Sequence, residues 1–215
     1  MSGPGPQTTA ISRTPVRPRD AASLVILRGR GASCEVLLGR REPRDRFMPD
    51  IYVFPGGRVD PGDASHPAKS ELGPGVIERL RTAQCRAKGR ALAVAAVRET
   101  YEETGLAFGD LKGGRILPSL DVLSYIARAI TPAGSHIRYH ARFFLARAEH
   151  AVGSLRSNGE LLDLRFVPLA EVKDLAVMDV TKYVLHEAAR CADGLPDDRV
   201  RKISYVRDLP RVRYE

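Results

Sequence analysis

"AAVRETYEETGLAF", residues 95–108, sets Glu99, Glu102 and Glu103 close together, ahead of a helix-closing Gly105. At about 100° per residue the three carboxylates fall within roughly 100° of arc, on one helix face. Like charges at that spacing cost about 0.2–0.5 kcal/mol per pair. The helix dipole adds about 0.3–1 kcal/mol for each anion in the last turn. Arg98 pairs with Glu102 four residues on, but one cation does not balance three anions. Ala93, Val94, Val97 and Tyr101 line the opposite face, so a helix over roughly 90–104 docks on a sheet. Carboxylates at i, i+3 and i+4 present oxygen ligands suited to one or two hard divalent cations, which supply the missing charge. The alternative is a solvated acidic face.

The upstream "FPGGRVD" favours the cation. Paired glycines after an apolar run let the backbone turn tightly and approach a ligand. A cation held between a backbone carbonyl there and the helix carboxylates clamps a diphosphate and positions an attacking water. A glutamate of the cluster, or one from a later loop, deprotonates that water.

Residues 1–20 are rich in Pro, Gly, Ser and Thr and read as a disordered lead-in, with one domain over 21–215. The three arginines of this lead-in resemble those of a transit peptide, but its prolines oppose the amphipathic helix such a peptide needs. "ASLVILR" and "EVLLGRR" read as a hairpin around "GRGASC", and "IYVFPGG" as a third strand stopped by Pro55 and the glycines. Residues 64–90 read as a loop followed by a helix over "VIERLRTAQCRAKGR". Strands are expected at "DVLSYIARAI", "IRYHARFFLARA" and "LLDLRFVPL", short helices near 170–175 and 180–192, then a polar tail. Interleaved strands and helices predict an α/β class with a mixed sheet between helices.

A formal net charge of +8 points to an anionic partner. With no tryptophan, 6% aromatics and no Lys/Arg block, a stacking platform for nucleic acid is not indicated. No apolar run approaches the length of a membrane span. Cys34, Cys85 and Cys191 are scattered and odd in number, which argues against a disulfide framework and for a reducing compartment, read as cytoplasmic. His136 and His140 alternate to one strand face and read as surface or pocket histidines rather than a metal pair. "RGRG" at 28–31 is a turn, since no helix follows.

Arg98-Glu99-Thr100-Tyr101-Glu102-Glu103-Thr104-Gly105-Leu106, preceded by Phe54-Pro55-Gly56-Gly57, resembles the signature of the Nudix hydrolases: G, five residues, E, seven residues, REUxEExGU, with U bulky and apolar. Thr100 departs from U. Gly57 and Arg98 stand 41 positions apart where the signature has 14, so 27 residues are inserted, taken as 64–90. Asp63 then corresponds to the signature's first glutamate. Nudix proteins of the coenzyme A and acyl-coenzyme A diphosphatase type have a similar long insertion.

The resemblance implies an α/β/α sandwich with a mixed sheet. It implies Mg²⁺ or Mn²⁺ held by Gly57, Glu99, Glu102 and Glu103, with Arg98 orienting the carboxylates. It adds an acidic residue from the loop before the last strand, Glu160, with Asp163 as competitor. "LLGRREPRDRFMPDIYVFPGG" is similar to the upstream pattern of coenzyme A-cleaving members, with Leu37, Leu38, Arg41, Arg46 and the FPGG in register, and departures at Gly39, Glu42 and Asp50. Substrate contacts are accordingly expected at Arg41, Arg46, Phe54 and Gly56. Guanidinium forks match phosphate oxygens, whereas Asp50 brings a negative charge near them. Arg40, Arg41, Arg44 and Arg46 otherwise read as an exposed basic loop.

The expected activity is hydrolysis of the diphosphate linkage in a nucleoside diphosphate derivative, coenzyme A or acyl-coenzyme A foremost. ADP-ribose, NADH, a dinucleoside polyphosphate or capped RNA are alternatives. A non-catalytic nucleotide-binding module is the alternative of another class. The expected partner is a small nucleotide-containing molecule, and a homodimer is possible. The insertion is expected to flank the site and restrict access to it.

Overall fold

A computed structural model of the chain describes residues 16–44, 48–82, 89–192 and 199–215. Two long strands, β1 (Arg19–Arg28) and β2 (Glu35–Arg41), form the expected antiparallel hairpin. β1 begins inside the segment read as lead-in, at Arg19; residues 1–15 lie outside the described residues. "IYVFPGG" is not one strand. It gives β3 (Tyr52–Val53), paired with β2, and then β4 (Gly56–Arg58), paired with β1. Pro55 has no N–H to donate, but its carbonyl accepts from Leu24 N at 3.0 Å. Gly56, at φ 150°, lets the chain cross from one partner to the other.

A 3₁₀ turn at Pro61–Ala64 leads into the insertion, which supplies helix α1 (Pro74–Thr82). The carboxylate helix follows as α2 (Gly89–Thr104). A small hairpin, β5 (Gly109–Lys112) and β6 (Arg115–Pro118), turns at Gly113-Gly114 and is absent from the sequence reading. Its turn residues carry a clear hairpin signal, but its strands are too short and polar for a period-2 pattern. β7 (Ser124–Ile130), β8 (Tyr139–Arg147), β9 (Leu161–Pro168) and α3 (Asp179–Ala192) fall close to expectation. The helix expected near 170–175 is only a 3₁₀ turn, Val172–Asp174. The polar tail is a hairpin, β10 (Arg201–Val206) and β11 (Leu209–Tyr214). Its inward residues Ile203, Tyr205 and Val212 join the core beside α3, while the polar residues alternating with them, Lys202, Ser204, Arg211 and Arg213, take the other face. That alternation is what a half-buried strand requires.

The main sheet runs β11-β10-β7-β8-β1-β2-β3, with β4 also on β1 and β9 also on β2. β1–β8 and β7–β10 are parallel and the other pairs antiparallel, so the sheet is mixed. One face buries Leu24, Ile26, Leu37 and Phe144 beneath α1 and α2; the other buries Val25, Leu27, Val36 and Phe143 beneath α3. The chain is therefore an α/β/α sandwich. α2 is buried on every side from Ala91 to Val97, not on one stripe, because α1 lays Val76 and Leu80 on the same core cluster. Thr100, the departure from the signature, is fully buried and donates its hydroxyl to Ala96 O at 2.7 Å. The back-bond satisfies the one polar atom that an apolar residue would lack. No helix among the described residues is long and apolar enough to cross a membrane.

Candidate active site on the carboxylate helix

The last turns of α2 lie against β4, and the glycine pair makes that approach possible. A Cβ on Gly57 would stand 2.4 Å from the Glu99 carboxyl carbon, so any side chain there displaces the carboxylate. Gly56 N donates to Glu103 Oε2 at 2.8 Å. Glu103 is 7% exposed, whereas Glu102 leaves about half its side chain in solvent.

Arg98 answers much of the charge question. Its Nε and Nη2 fork onto Asp63 at 2.9 and 3.1 Å, and its Nη1 reaches Glu99 and Glu102 at 3.1 Å each. Nη2 also donates to Arg58 O at 3.2 Å. Asp63, at the position of the signature's first glutamate, is 2% exposed and closes a capping box with Asp60. It thus holds Arg98 rather than facing a ligand. Burial works against the Arg98 charge, but Asp63, Glu99 and Glu102 outweigh it and hold the guanidinium protonated. Arg90 reaches the Ala64 carbonyl at 3.4 Å, so the chain leaves and re-enters the site frame at adjacent points.

Glu103 gains nothing from Arg98. Burial pushes its carboxyl up to about 8, the charges of Glu99 and Glu160 act in the same direction, and Gly56 N–H and Arg41 act against them. Burial likewise raises Glu99, with Arg98 partly opposing it and Glu102 and Asp60 adding to the rise. Glu160 is therefore within electrostatic reach of the carboxylates although it is exposed in the loop before β9. Asp163, the competitor, sits at φ 44° on β9, accepts from Tyr52 Oη and Arg165, and belongs to a different cluster.

Glu103 also sets a pH dependence. Its folded-state value lies above its unfolded one, so the stability it confers is complete below about pH 4.5 and is lost as pH rises through about 8. The metal-free protein is expected to melt progressively lower between pH 5 and pH 9. Thermal melts across that range check this, and an equally steep fall in a Glu103→Gln variant would assign the slope elsewhere.

On the α3 side of the glycine pair opens a cleft of about 450 Å³. Phe54, Gly56, Gly57 and Arg41 line it, with Met178, Val180 and Thr181 from the start of α3 opposite. Phe54 is held edge-on to Phe143, with ring centroids 6.1 Å apart. The structure thus gathers Arg41, Phe54, Gly56, Gly57, Arg98, Glu99, Glu103 and Glu160, while Glu102 is drawn outward to Arg98. Arg46 lies outside the described residues, and Arg44 is exposed. Asp50 is paired with Arg40 at 2.6 Å, so its charge is not turned on a phosphate. His136 and His140 do not share a strand face. His136 is in the loop before β8, and His140 meets Arg128 at 3.0 Å, where burial and then Arg142 and Arg128 lower its pKa to about 3.

No described insertion residue from 64 to 82 lines the cleft; that segment packs behind α2 instead of restricting access. Sequence reasoning missed Arg58, Ser135 and the start of α3 as cleft residues. Arg58 had a usable signal, since it continues an extended run directly after the glycines. Residues 178–181 had none, being brought in only by the return of the chain.

Among the described residues no three His, Cys, Asp or Glu side chains converge as a ready metal cage. The donors nonetheless fit Mg²⁺ or Mn²⁺. Mg²⁺ keeps several waters and takes one or two carboxylates plus substrate oxygens rather than an all-protein cage. Two desolvated carboxylates stand here beside a bare backbone loop.

No family model matches the chain. It is 32% identical over 93 residues to acyl-coenzyme A diphosphatase NUDT19 of Xenopus laevis, covering 34% of this chain but only 24% of that protein. Its fold matches a crystal structure of a NUDIX hydrolase from Alicyclobacillus acidocaldarius at TM-score 0.64 and 27% identity, over 82% of this chain and 93% of that one. The NUDIX domain of Shewanella oneidensis NrtR, complexed with ADP ribose, matches at TM-score 0.52 and 12% identity, over 82% and 89%; this likeness concerns the fold alone. Together with the Arg98–Leu106 signature on α2 and the glycine pair against it, these matches show that the chain has the fold of the Nudix hydrolases.

Proposed function

We propose that the protein is a Mg²⁺- or Mn²⁺-dependent hydrolase of the diphosphate linkage in nucleoside diphosphate derivatives, with coenzyme A or an acyl-coenzyme A as substrate. The supporting observation is the close approach of the glycine pair to the last turns of α2, Gly57 against the half-buried Glu99 and Gly56 N–H on the buried Glu103, with the same glycines lining a largely apolar cleft. The coenzyme A assignment draws on the upstream "LLGRREPRDRFMPDIYVFPGG" register, on the Arg40–Asp50 pair that neutralises its least favourable departure, and on the similarity to an acyl-coenzyme A diphosphatase.

In this reading the Gly57 carbonyl, Glu99 and Glu103 hold the cation, with Glu102 the outermost member of the set. A bound divalent ion neutralises diphosphate oxygens and acidifies water. Arg98, itself fixed by Asp63, keeps Glu99 from swinging away. Arg41 grips a phosphate, and Phe54 forms the cleft wall beside it. Glu160 takes the proton of the attacking water; the water oxygen bonds to one phosphorus and the bridging oxygen leaves on the other. From coenzyme A the products are adenosine 3′,5′-bisphosphate and a phosphopantetheine. The odd, scattered cysteines accord with a reducing, cytoplasmic setting.

Incubation of the protein with coenzyme A, ADP-ribose and NADH in Mg²⁺, read by product mass, tests the proposal. Adenosine 3′,5′-bisphosphate is the expected product, with a Glu102→Gln variant slower by about tenfold or more. Cleavage of ADP-ribose or NADH without coenzyme A would move the substrate. No cleavage of any of them in Mg²⁺ or Mn²⁺ would return the chain to a binding module.

A further inference from the structure

We propose that Arg58 and Ser135 form a subsite for a phosphate monoester carried by the nucleotide in addition to its diphosphate. The inference rests on the reading above for one thing only, that the diphosphate lies at Gly56–Gly57. β4 pairs with β1 as Ala22↔Gly57 and Ala21↔Arg58. Successive residues on a strand face opposite ways. Gly57 faces Glu99, so Arg58 leaves on the other side, into the cleft it lines. Arg58 therefore does not reach back to the carboxylate side where the cation and diphosphate are held.

Arg58 is exposed, and among the described residues its guanidinium makes no hydrogen bond or ion pair; its carbonyl accepts from Arg98. Next to Ala21 on the same face comes Ala141 of β8, then Tyr139 and the loop 131–138. Ser135 on that loop also lines the cleft, and its hydroxyl has no partner. The loop is well fixed. Arg138 Nε and Nη2 donate to Thr131 O at 3.2 and 3.1 Å, and Tyr139 N donates to Thr131 Oγ1 at 3.0 Å. Ser135 N donates to Pro132 O at 3.2 Å. The hydroxyl is thus presented by a braced turn.

Among the described residues Asp179 is the one carboxylate lining the cleft, and it pairs with Lys182 at 3.1 Å. Among the described residues nothing compensates Arg58, which stands between mostly apolar walls with an unused hydroxyl on the facing loop. A guanidinium fork and a hydroxyl donor together match the oxygens of a dianionic phosphate monoester. The ligand class is a nucleotide with a phosphate on its ribose, as in 3′-phosphoadenosine compounds, in preference to the same nucleotide without it.

Calorimetric titration of the metal-free protein with adenosine 3′,5′-bisphosphate and with AMP decides the matter. The bisphosphate is expected to bind about tenfold tighter. Arg58→Gln is expected to abolish the difference, and Ser135→Ala to narrow it by about two- to threefold. Equal binding of the two nucleotides, binding of neither, or a preference that survives Arg58→Gln overturns the subsite. No cleavage enters this measurement. Discrimination retained by a protein that hydrolyses nothing would therefore uphold the subsite while sinking the hydrolase reading.

Discussion

Glu103→Gln is expected to lower kcat by about 10²–10³-fold and, at the same time, to make the metal-free protein more stable. The two effects have one cause. Glu103 is 93% buried against Gly56 N–H, with Glu99 and Glu160 adding negative charge around it, and its carboxyl is pushed up to about 8. Ionised, it carries a desolvation cost that only a cation relieves. Glutamine keeps the shape and still accepts from Gly56 N–H, but it has no charge to desolvate and is a poor ligand for a hard cation. The stabilisation is of order 1–3 kcal/mol near pH 8 and shrinks as pH falls, vanishing below about pH 4.5, where the glutamate is protonated in both the folded and the unfolded state. The loss in kcat follows from removing a charged group aimed at a developing charge. Paired melts and single-turnover rates on the two proteins check the prediction. A variant that is both slower and less stable would show that Glu103 serves the fold rather than the cation.

The contrast between Glu103 and its neighbours shows how far the sequence could carry the site. Spacing alone put three carboxylates on one face, and the bracketing "FPGG" and Gly105 were legible because glycine has few reasons to recur at such places. Spacing could not rank the three. Their ranking comes from what β4 does to each: Gly56 takes Glu103, Gly57 clears space for Glu99, and Glu102 is left in solvent to meet Arg98. The cleft was less legible still. Phe54 and Arg41 sit near the glycines in the chain, whereas Ser135 and Met178 come from segments whose local composition says nothing about facing a ligand. In the fold, strongly periodic elements such as β8, α2 and α3 were visible. β10–β11 was not, because its apolar residues alternate with lysine, serine and arginines and read as a polar tail until Ile203 and Val212 find the α3 face. The insertion is read from the sequence as a segment flanking the site, yet its Val76 and Leu80 join the core cluster of α2.

The largest effect on stability is expected at Arg98. Its side chain is 17% exposed and is shared among Asp63, Glu99 and Glu102, with Asp60 at 3.8 Å. Alanine there leaves Asp63, whose side chain is 3% exposed, without the fork that neutralises it. Removing one partner of a buried pair costs about 3–5 kcal/mol, since the other charge stays buried and unpaired. Asp63→Asn is expected to cost less, about 1–3 kcal/mol, because Arg98 still has Glu99 and Glu102 to pair with. Denaturant titration of the two single variants and of the double variant measures their coupling. The double variant should be less damaged than the sum of the singles, since each removes what the other leaves stranded. Additive losses would mean that the Asp63–Arg98 fork is not what closes the split signature. Coupling would mean that one ion pair, spanning 35 positions, holds the carboxylate helix to the turn that follows the glycine strand. It would also account for the surplus of negative charge at the site. With its fork committed to Asp63, Arg98 is left with one nitrogen for Glu99 and Glu102 and none for Glu103 or Glu160, and that deficit is what a divalent cation fills.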